Sequence, residues 1–273
     1  MGFAKYLEDN HSRYYGTSIV RRREHDRFIT GSARPQSTNE GNNTTMDTSK
    51  LKEFTVAEAR PLPVIVLADV SGSMSEDGKI EALNQALLEM IKAFAAESRM
   101  RAEIQVSLIT FGGAGANMHL PLAPAHQISS VATLHANGRT PMGAAFNEAR
   151  LLIENRDLIP LRAYRPVLVL VSDGKPTDDW GPAFDMLCSA ERAQRATRFA
   201  LAIGADADTE MLERFANDVE SPLFKAHEAR DIPRFFRAVT MSVTARSRSA
   251  TPNAPVPFAL TDITGDDDLD LDF

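Results

Sequence analysis

Apolar, strand-like segments alternate along this sequence with segments that have the spacing of amphipathic helices. Residues 62–69, LPVIVLAD, form a continuous apolar run rich in β-branched side chains, which is typical of a strand buried on both faces of a parallel sheet. Similar runs recur at 102–111, 165–173 and 197–204. After the first run, apolar residues recur at three- and four-residue spacing, as on one face of a helix: Ile80, Leu83, Leu87, Met90, Ile91 and Phe94. This alternation predicts a doubly wound α/β domain, with a mostly parallel sheet covered by helices on both faces.

The weaker segments fit the same plan. Residues 116–123 predict a short strand, and Pro121 within it indicates an edge of the sheet, because proline has no N–H to donate to a neighbouring strand.

 We expect this edge strand to run antiparallel to its one neighbour. Thr140-Pro141 has the form of a helix N-cap followed by proline at the first helical position, and it predicts a helix to about Glu154. Further helices are expected at 182–196, at 209–217 and from Ile232 onward, with a short strand at 222–225.

Composition divides the 273 residues into three zones. Residues 31–50 have almost no large apolar side chains and cannot bury enough surface to offset the entropy lost on ordering. Residues 1–50 are therefore interpreted as an N-terminal extension and flexible linker, and residues 51–246 as the folded domain. Residues 247–273 are predicted to be a disordered acidic tail. Its end, DDDLDLDF, is either a docking peptide of alternating acidic and apolar residues or only a solubilising segment.

Charge and cysteine content exclude several classes of protein. The net charge of −7 argues against a general nucleic-acid-binding protein, which would carry a basic surface. Cys188 is the only cysteine, so the chain has no intramolecular disulfide and a cysteine-based zinc site is disfavoured. No apolar run approaches the roughly 20 residues of a membrane span, and the first residues lack an apolar signal-peptide core. We therefore expect a cytoplasmic protein that binds neither nucleic acid nor membrane.

Short oxygen-bearing side chains stand where three loops are expected. Asp69, Ser71 and Ser73 end the first strand, Thr140 precedes a predicted helix, and Asp173 ends a later strand. Doubly wound sheets bind ligands beyond the carboxyl ends of their strands. Two carboxylates and three hydroxyls are hard ligands of the kind that Mg²⁺ prefers, with Mn²⁺ or Ca²⁺ as alternatives. Because hydroxyls are neutral, the bound ion would keep positive charge, and an Asp or Glu of a protein partner could complete its coordination.

A simpler interpretation is that the first of these loops only caps the helix that begins near Lys79. Three alternating oxygens with two distant partners exceed what a cap requires, which favours the metal site. Thr140 is expected to serve both as a metal ligand and as an N-cap. Asp178 and Asp179 fit the start of a helix near Trp180, where carboxylates interact favourably with the helix dipole, better than they fit a second metal ion.

These residues resemble the von Willebrand factor A (VWA) family and its metal-ion-dependent adhesion site. DVSGS at 69–73 matches the family pattern Asp-x-Ser-x-Ser, RTPMG at 139–143 contains its threonine, and SDG at 172–174 contains its last aspartate. The resemblance covers roughly residues 60–246. It implies that the metal is contacted by Ser71, Ser73 and Thr140, and directly or through water by Asp69 and Asp173. Arg139 stands where many relatives have glycine, a departure that could tune the choice of ligand.

Within the family, the sequence is most similar to the bacterial cytoplasmic branch and to tellurite-resistance-associated VWA proteins. This resemblance implies a non-enzymatic, Mg²⁺-dependent interaction module that acts as an adaptor beside a protein kinase and a phosphatase in stress signalling. A partner subunit of an AAA+ ATPase in a chaperone or chelatase system is the alternative. A metal-dependent hydrolase is less favoured, because Ser71 and Ser73 have no histidine or lysine partner evident in the sequence. The sequence does not indicate the oligomeric state.

Overall fold

The computed structural model describes residues 59–217 and 223–254, and a six-stranded sheet forms its centre. The strands are β1 (Arg60–Asp69), β2 (Ala102–Gly112), β3 (Gly115–Pro124), β4 (Val167–Ser172), β5 (Thr197–Ile203) and β6 (Phe224–Ala226). Their order across the sheet is β3-β2-β1-β4-β5-β6. All neighbours are parallel except β2 and β3, which are antiparallel. The predicted α/β class, with one antiparallel edge strand, is confirmed.

Five α-helices of the described residues cover the two faces of this sheet. They are α1 (Lys79–Ala95), α2 (Met142–Glu154), α3 (Trp180–Ser189), α4 (Thr209–Phe215) and α5 (Ile232–Arg248). Alternate side chains of β1 point to opposite faces, as a strand requires. Val64 and Val66 pack in the core that α1 and α5 close, whereas Ile65 and Leu67 pack in the core of α2, α3 and α4. The central strand is thus buried on both sides, which explains its continuous apolar run.

Two sequence expectations about helix ends are wrong. The helix expected at 182–196 ends at Ser189, and only a short 3₁₀ turn follows at Ala193–Arg195. The reason is a tertiary contact: Glu154 Oε1, at the end of α2, accepts hydrogen bonds from the backbone N–H groups of Arg192 (2.8 Å) and Ala193 (3.0 Å). These contacts hold the chain in a path that an α-helix could not follow.

Thr140 is not the N-cap of α2. The helix begins at Met142, Pro141 stands at the capping position, and neither provides a side-chain cap. The carboxylate that binds the free N–H groups of this helix comes instead from the loop after β4, as described below. The Thr140 hydroxyl is therefore not used in capping.

The last helix extends to Arg248, two residues into the segment predicted as a tail. Beyond it, the Pro252 carbonyl accepts a hydrogen bond from Arg246 Nε (3.0 Å), and Asn253 Oδ1 accepts one from the backbone N–H of Arg165 (2.9 Å). These contacts join Pro252 to α5 and Asn253 to the segment that leads into β4. The predicted extension and linker, residues 51–58 and the remainder of the tail lie outside the described residues. No described helix is both long and apolar enough to cross a bilayer.

Candidate metal centre

Asp69 and Asp173 stand at the same edge of the sheet because β1 and β4 are parallel neighbours, paired up to Ala68 and Val171. Strand order reverses between these two strands, since β2 lies on one side of β1 and β4 on the other. Such a switch point opens a crevice beyond the strand ends, where doubly wound folds bind their ligands. The residues proposed from the sequence therefore lie where the fold provides a binding site.

The carboxylate of Asp69 is fully buried and organises the first loop. Its Oδ1 accepts a hydrogen bond from the backbone N–H of Ser71 (2.8 Å), and its Oδ2 accepts one from the Ser172 hydroxyl (2.5 Å). Burial raises the pKa of Asp69 to about 6, and the negative charge of Asp173 adds to this, although the two hydrogen bonds lower the pKa. A buried carboxylate with a raised pKa is one that a nearby cation would stabilise in its charged form.

The three predicted hydroxyls gather beside this carboxylate. Ser71 Oγ and Ser73 Oγ are 3.1 Å apart, and the Ser73 hydroxyl donates to Asp173 Oδ1 at 2.7 Å. A Cβ atom added at Gly174 would lie 3.5 Å from Thr140 Oγ1 and 3.9 Å from Ser73 Oγ, so both oxygens face the same small volume. The structure thus brings together, around the ends of β1 and β4, all five residues that the sequence singled out.

Backbone contacts carry Thr140 to this place. The segment before it lies along the first loop, where Asn137 N–H donates to the Val70 carbonyl (2.7 Å) and Gly72 N–H donates to the Gly138 carbonyl (2.9 Å). Gly138 has φ of 72°, a backbone conformation that favours glycine. A Cβ atom there would also lie 2.6 Å from the Cα of Gly113, so only glycine fits this close crossing.

The loop after β4 holds Thr140 from the other side. The backbone N–H of Thr140 donates to the Thr177 hydroxyl (3.1 Å), and the N–H of Thr177 donates to the Thr140 carbonyl (2.9 Å). Asp178 Oδ1 and Oδ2 accept from the N–H groups of Gly143 and Ala144, each at 3.0 Å. The expectation that Asp178 belongs to the start of the next helix is therefore wrong, because its carboxylate caps α2. Asp179 does precede that next helix, α3, but makes no side-chain cap.

Lys79 is a site residue that the sequence did not reveal. Its ammonium lies 2.9 Å from Asp173 Oδ2 and 3.4 Å from the Ser73 carbonyl oxygen. The preceding turn, with Asp77 at φ 53° and Gly78 at φ 72°, brings the first residue of α1 back over the site. The only signal in the sequence was a lysine directly after a glycine at the start of a predicted helix, which is common on protein surfaces.

Ser172 and Thr177 were also missed, although both flank predicted residues. The Ser172 hydroxyl donates to Asp69 Oδ2, and the Thr177 hydroxyl accepts from the backbone N–H of Thr140, so both support residues of the site. No pattern in the sequence distinguishes Ser172 and Thr177 from polar residues at exposed loop positions, so their supporting role could not be predicted.

The donor set fits a small, hard divalent cation. All five groups are oxygens, and within residues 59–217 and 223–254 no three His, Cys, Asp or Glu side chains cluster in a way that could hold a metal ion. Hydroxyl ligands are therefore needed here to complete a site. Thr140 is 5 % exposed, and its hydroxyl makes no hydrogen bond within the described part of the chain. The Lys79 ammonium provides positive charge beside Asp173.

A family model decides the relationship of this chain to known proteins. The model of the von Willebrand factor type A domain matches residues 64–238, more than half of the sequence. The chain belongs to the VWA family. The matched region begins within β1 and ends within α5, so it includes most of β1, the other five strands and all five residues gathered at the sheet edge. VWA domains are commonly used for protein–protein interaction.

Solved structures share this VWA fold at low sequence identity. A von Willebrand factor type A protein from Catenulispora acidiphila is 23% identical, with a TM-score of 0.53 over 67% of this chain and 42% of that chain. Proximal thread matrix protein 1 from the mussel byssus, with a zinc-occupied MIDAS motif, is 16% identical, with a TM-score of 0.52 over 69% of this chain and 49% of that chain. The ArnB paralog VWA2 from Sulfolobus acidocaldarius is 13% identical, with a TM-score of 0.51 over 71% of this chain and 47% of that chain.

These likenesses show the fold alone, and the VWA chain spans less than half the length of each of the three neighbours. No curated protein matched the sequence significantly.

Proposed function

We propose that this VWA domain binds one divalent cation, Mg²⁺, through Asp69, Ser71, Ser73, Thr140 and Asp173, and that the ion binds a carboxylate of a protein partner. The observation that carries the proposal is the convergence of two buried carboxylates and three hydroxyls at the switch point of the sheet. Helix capping does not explain it, because Gly78 stands at the capping position of α1 and no side chain caps that helix, while the cap of α2 is made by Asp178.

Each part of the site has a separate task in this proposal. Asp69 holds the first loop through the Ser71 N–H, and Asp173 orients the Ser73 hydroxyl. Thr140 brings the third hydroxyl from a different loop. When bound, the cation supplies a positively charged, Lewis-acidic centre for an incoming carboxylate. Because the hydroxyls are neutral and only two carboxylates contribute, the negative charge of the ligands does not exceed the two positive charges of the ion.

The all-oxygen ligand set favours Mg²⁺, with Mn²⁺ as the closest substitute. Ca²⁺ takes 6–8 oxygen ligands at longer distances, more than this small set offers without several waters. The mussel protein holds zinc in its MIDAS motif, so zinc belongs in any comparison of ions. Titration of the metal-free protein with each of the four ions would rank them, and tight zinc binding with no magnesium binding would change the proposed cofactor.

We infer further that the protein is an adaptor and not an enzyme. Lys79, a basic side chain at the site, is bound to Asp173 Oδ2 and to the Ser73 carbonyl. That arrangement supports a role in charge balance better than one as a general base. A cytoplasmic setting in bacterial stress signalling, beside a kinase and a phosphatase, is the proposed context, and it is based on the DVSGSM, TPMG and SDGKPTD segments.

The proposal is tested by coupling metal binding to partner binding. Isothermal titration of the full chain should show one Mg²⁺ bound per protein, and Asp69→Asn should abolish this binding. The control is Asp179→Asn, which changes an exposed carboxylate outside the ligand set and should leave Mg²⁺ binding intact. A partner identified by crosslinking in Mg²⁺ should lose affinity in chelator and on replacement of one of its own Asp or Glu residues. Equal partner affinity with Mg²⁺ and with chelator would overturn the proposed function.

A further inference from the structure

Lys79 and Asp173 form an ion pair at the proposed metal centre, 94 residues apart in sequence and 2.9 Å apart in space. We propose that the Lys79 ammonium is an internal cation that competes with the divalent ion for Asp173. In this role Lys79 holds Asp173 in place without metal and sets how tightly the metal binds. The inference rests on the proposed function, since it assigns a positioning and affinity-setting residue to the same site.

Burial explains why the Asp173 carboxylate needs a positively charged partner both with and without the metal ion. The Asp173 side chain is 0% exposed, and an ionised carboxylate removed from water is costly unless it is paired and hydrogen-bonded. Both of its oxygens are satisfied here by side chains of this protein: Oδ1 accepts from the Ser73 hydroxyl, and Oδ2 accepts from Lys79. The pair therefore allows the site to keep its shape when no divalent ion is bound.

The same pair must oppose the binding of the metal. A divalent ion held by Asp173 would lie near the ammonium, and like charges repel more strongly in a partly desolvated site than in water. Lys79 Nζ also donates to the Ser73 backbone carbonyl at 3.4 Å, so the ammonium is held close to both Asp173 and Ser73. The ammonium must then either remain and weaken the metal, or leave Asp173 at a cost. In both cases the measured metal affinity is lower than the ligand set alone would provide.

The surroundings of Lys79 allow such a movement. Its side chain is 14% exposed and lines a cleft of about 620 Å³ at the edge of the site. Four acidic side chains also line this cleft, Glu76, Asp77, Asp206 and Glu228, together with Arg230, which pairs with Glu228 at 3.1 Å. Acidic side chains outnumber the arginine, so an ammonium displaced from Asp173 would enter a space of net negative charge, which limits the cost of displacement.

The test is a comparison of metal affinities among variants of the full chain, measured by titration with Mn²⁺ and Mg²⁺. Lys79→Met should bind both ions about tenfold more tightly than the unmodified protein, because the competing charge is removed. Lys79→Gln, which keeps a hydrogen-bond donor, should tighten binding similarly, whereas Lys79→Arg should not. Lys92→Met removes the same charge from an exposed position on the same helix, and should leave the affinity unchanged.

Thermal melting gives a second, independent measurement. Without metal, Lys79→Met should melt at a lower temperature, because Asp173 loses its partner, and added Mn²⁺ should raise its melting temperature more than that of the unmodified protein. A structural defect would not tighten metal binding, so the gain in affinity separates the proposed role from simple damage.

Two results would overturn the inference in different ways. If the unmodified protein binds Mg²⁺ and Lys79→Met and Lys79→Gln bind it with unchanged or lower affinity, the inference fails and the proposed function stands. If the unmodified protein binds none of the ions, and Asp69→Asn behaves identically, the proposed function fails and the inference fails with it.

Discussion

The carboxylate of Asp178 accepts a hydrogen bond from the backbone N–H of Gly143, and by this contact the loop after β4 caps the helix that follows Thr140. The second carboxylate oxygen accepts from Ala144, so the cap satisfies two N–H groups of the first turn of α2. Two of the three site loops are thus locked together by a residue that touches none of the proposed ligand atoms in the described contacts. Metal affinity should depend on this cap even though Asp178 is outside the ligand set.

Replacement of Asp178 by alanine is the direct test of this cap. We expect Asp178→Ala to lower the free energy of unfolding by about 1 kcal/mol, the usual value of a helix N-cap, and to weaken Mg²⁺ binding because Thr140 loses support. Urea denaturation and metal titration measure the two effects. Asp179→Ala is the matched control, since Asp179 makes no cap, and it should change neither quantity appreciably. Equal losses in both variants would show that local charge, and not the cap, matters.

Gly143 should tolerate no side chain. A Cβ atom there would lie 2.8 Å from Trp180 Cα and 3.0 Å from Asp178 Oδ2, so Gly143→Ala would push α2 away from α3. We expect a loss of about 1–3 kcal/mol in the free energy of unfolding, as for other overpacked sites. Gly181→Ala is the comparison, because nothing lies within 4 Å of its added Cβ and alanine favours the helix. Chemical denaturation that finds Gly143→Ala as stable as Gly181→Ala would contradict the packing described here.

Metal binding should weaken in acid because protons compete for Asp69. The pKa of this carboxyl is raised to about 6 by burial, so in the metal-free protein it is mostly ionised at pH 7 and mostly protonated at pH 5. A cation requires the ionised form, and below pH 6 each further pH unit should therefore reduce the apparent Mg²⁺ affinity by up to about tenfold. Titrations between pH 5 and pH 8 would measure this slope. An affinity independent of pH over this range would exclude Asp69 as the competing group.

Ser172 should control the charge state of Asp69. Its hydroxyl donates to Asp69 Oδ2, and this bond lowers the pKa of the carboxyl. In Ser172→Ala the pKa of Asp69 should rise further, so that the fall in Mg²⁺ affinity begins at a higher pH, and stability should fall by about 1–3 kcal/mol. Ser107→Ala removes another buried hydroxyl, one that donates to the Leu120 carbonyl at 3.0 Å. It should cost stability without moving the pH dependence of metal binding, and a shift in both variants would argue against the specific role of Ser172.

The strands and their arrangement could be predicted closely because burial on both faces leaves a strong pattern. The run 62–69 lies within β1, and the run 197–204 contains β5, since β-branched and other apolar residues without polar interruption fit few other structures. The helix expected at 182–196 was too long because Glu154 binds the chain at Arg192 and Ala193. That contact joins residues 38 and 39 positions apart, and no local pattern encodes it.

The sequence by itself determined the alternation of strands and helices and the five oxygen-bearing residues that meet at one edge of the sheet, because these follow from apolar periodicity and from motifs of a few residues. Only the tertiary structure decided which helix Asp178 caps, and that Lys79 pairs with Asp173. The physical reason is that a hydrogen bond or ion pair between loops depends on how parallel strands place their ends in space. A carboxylate or an ammonium has the same local preferences in every exposed turn, and its partner is chosen by the packing of the sheet and helices around it.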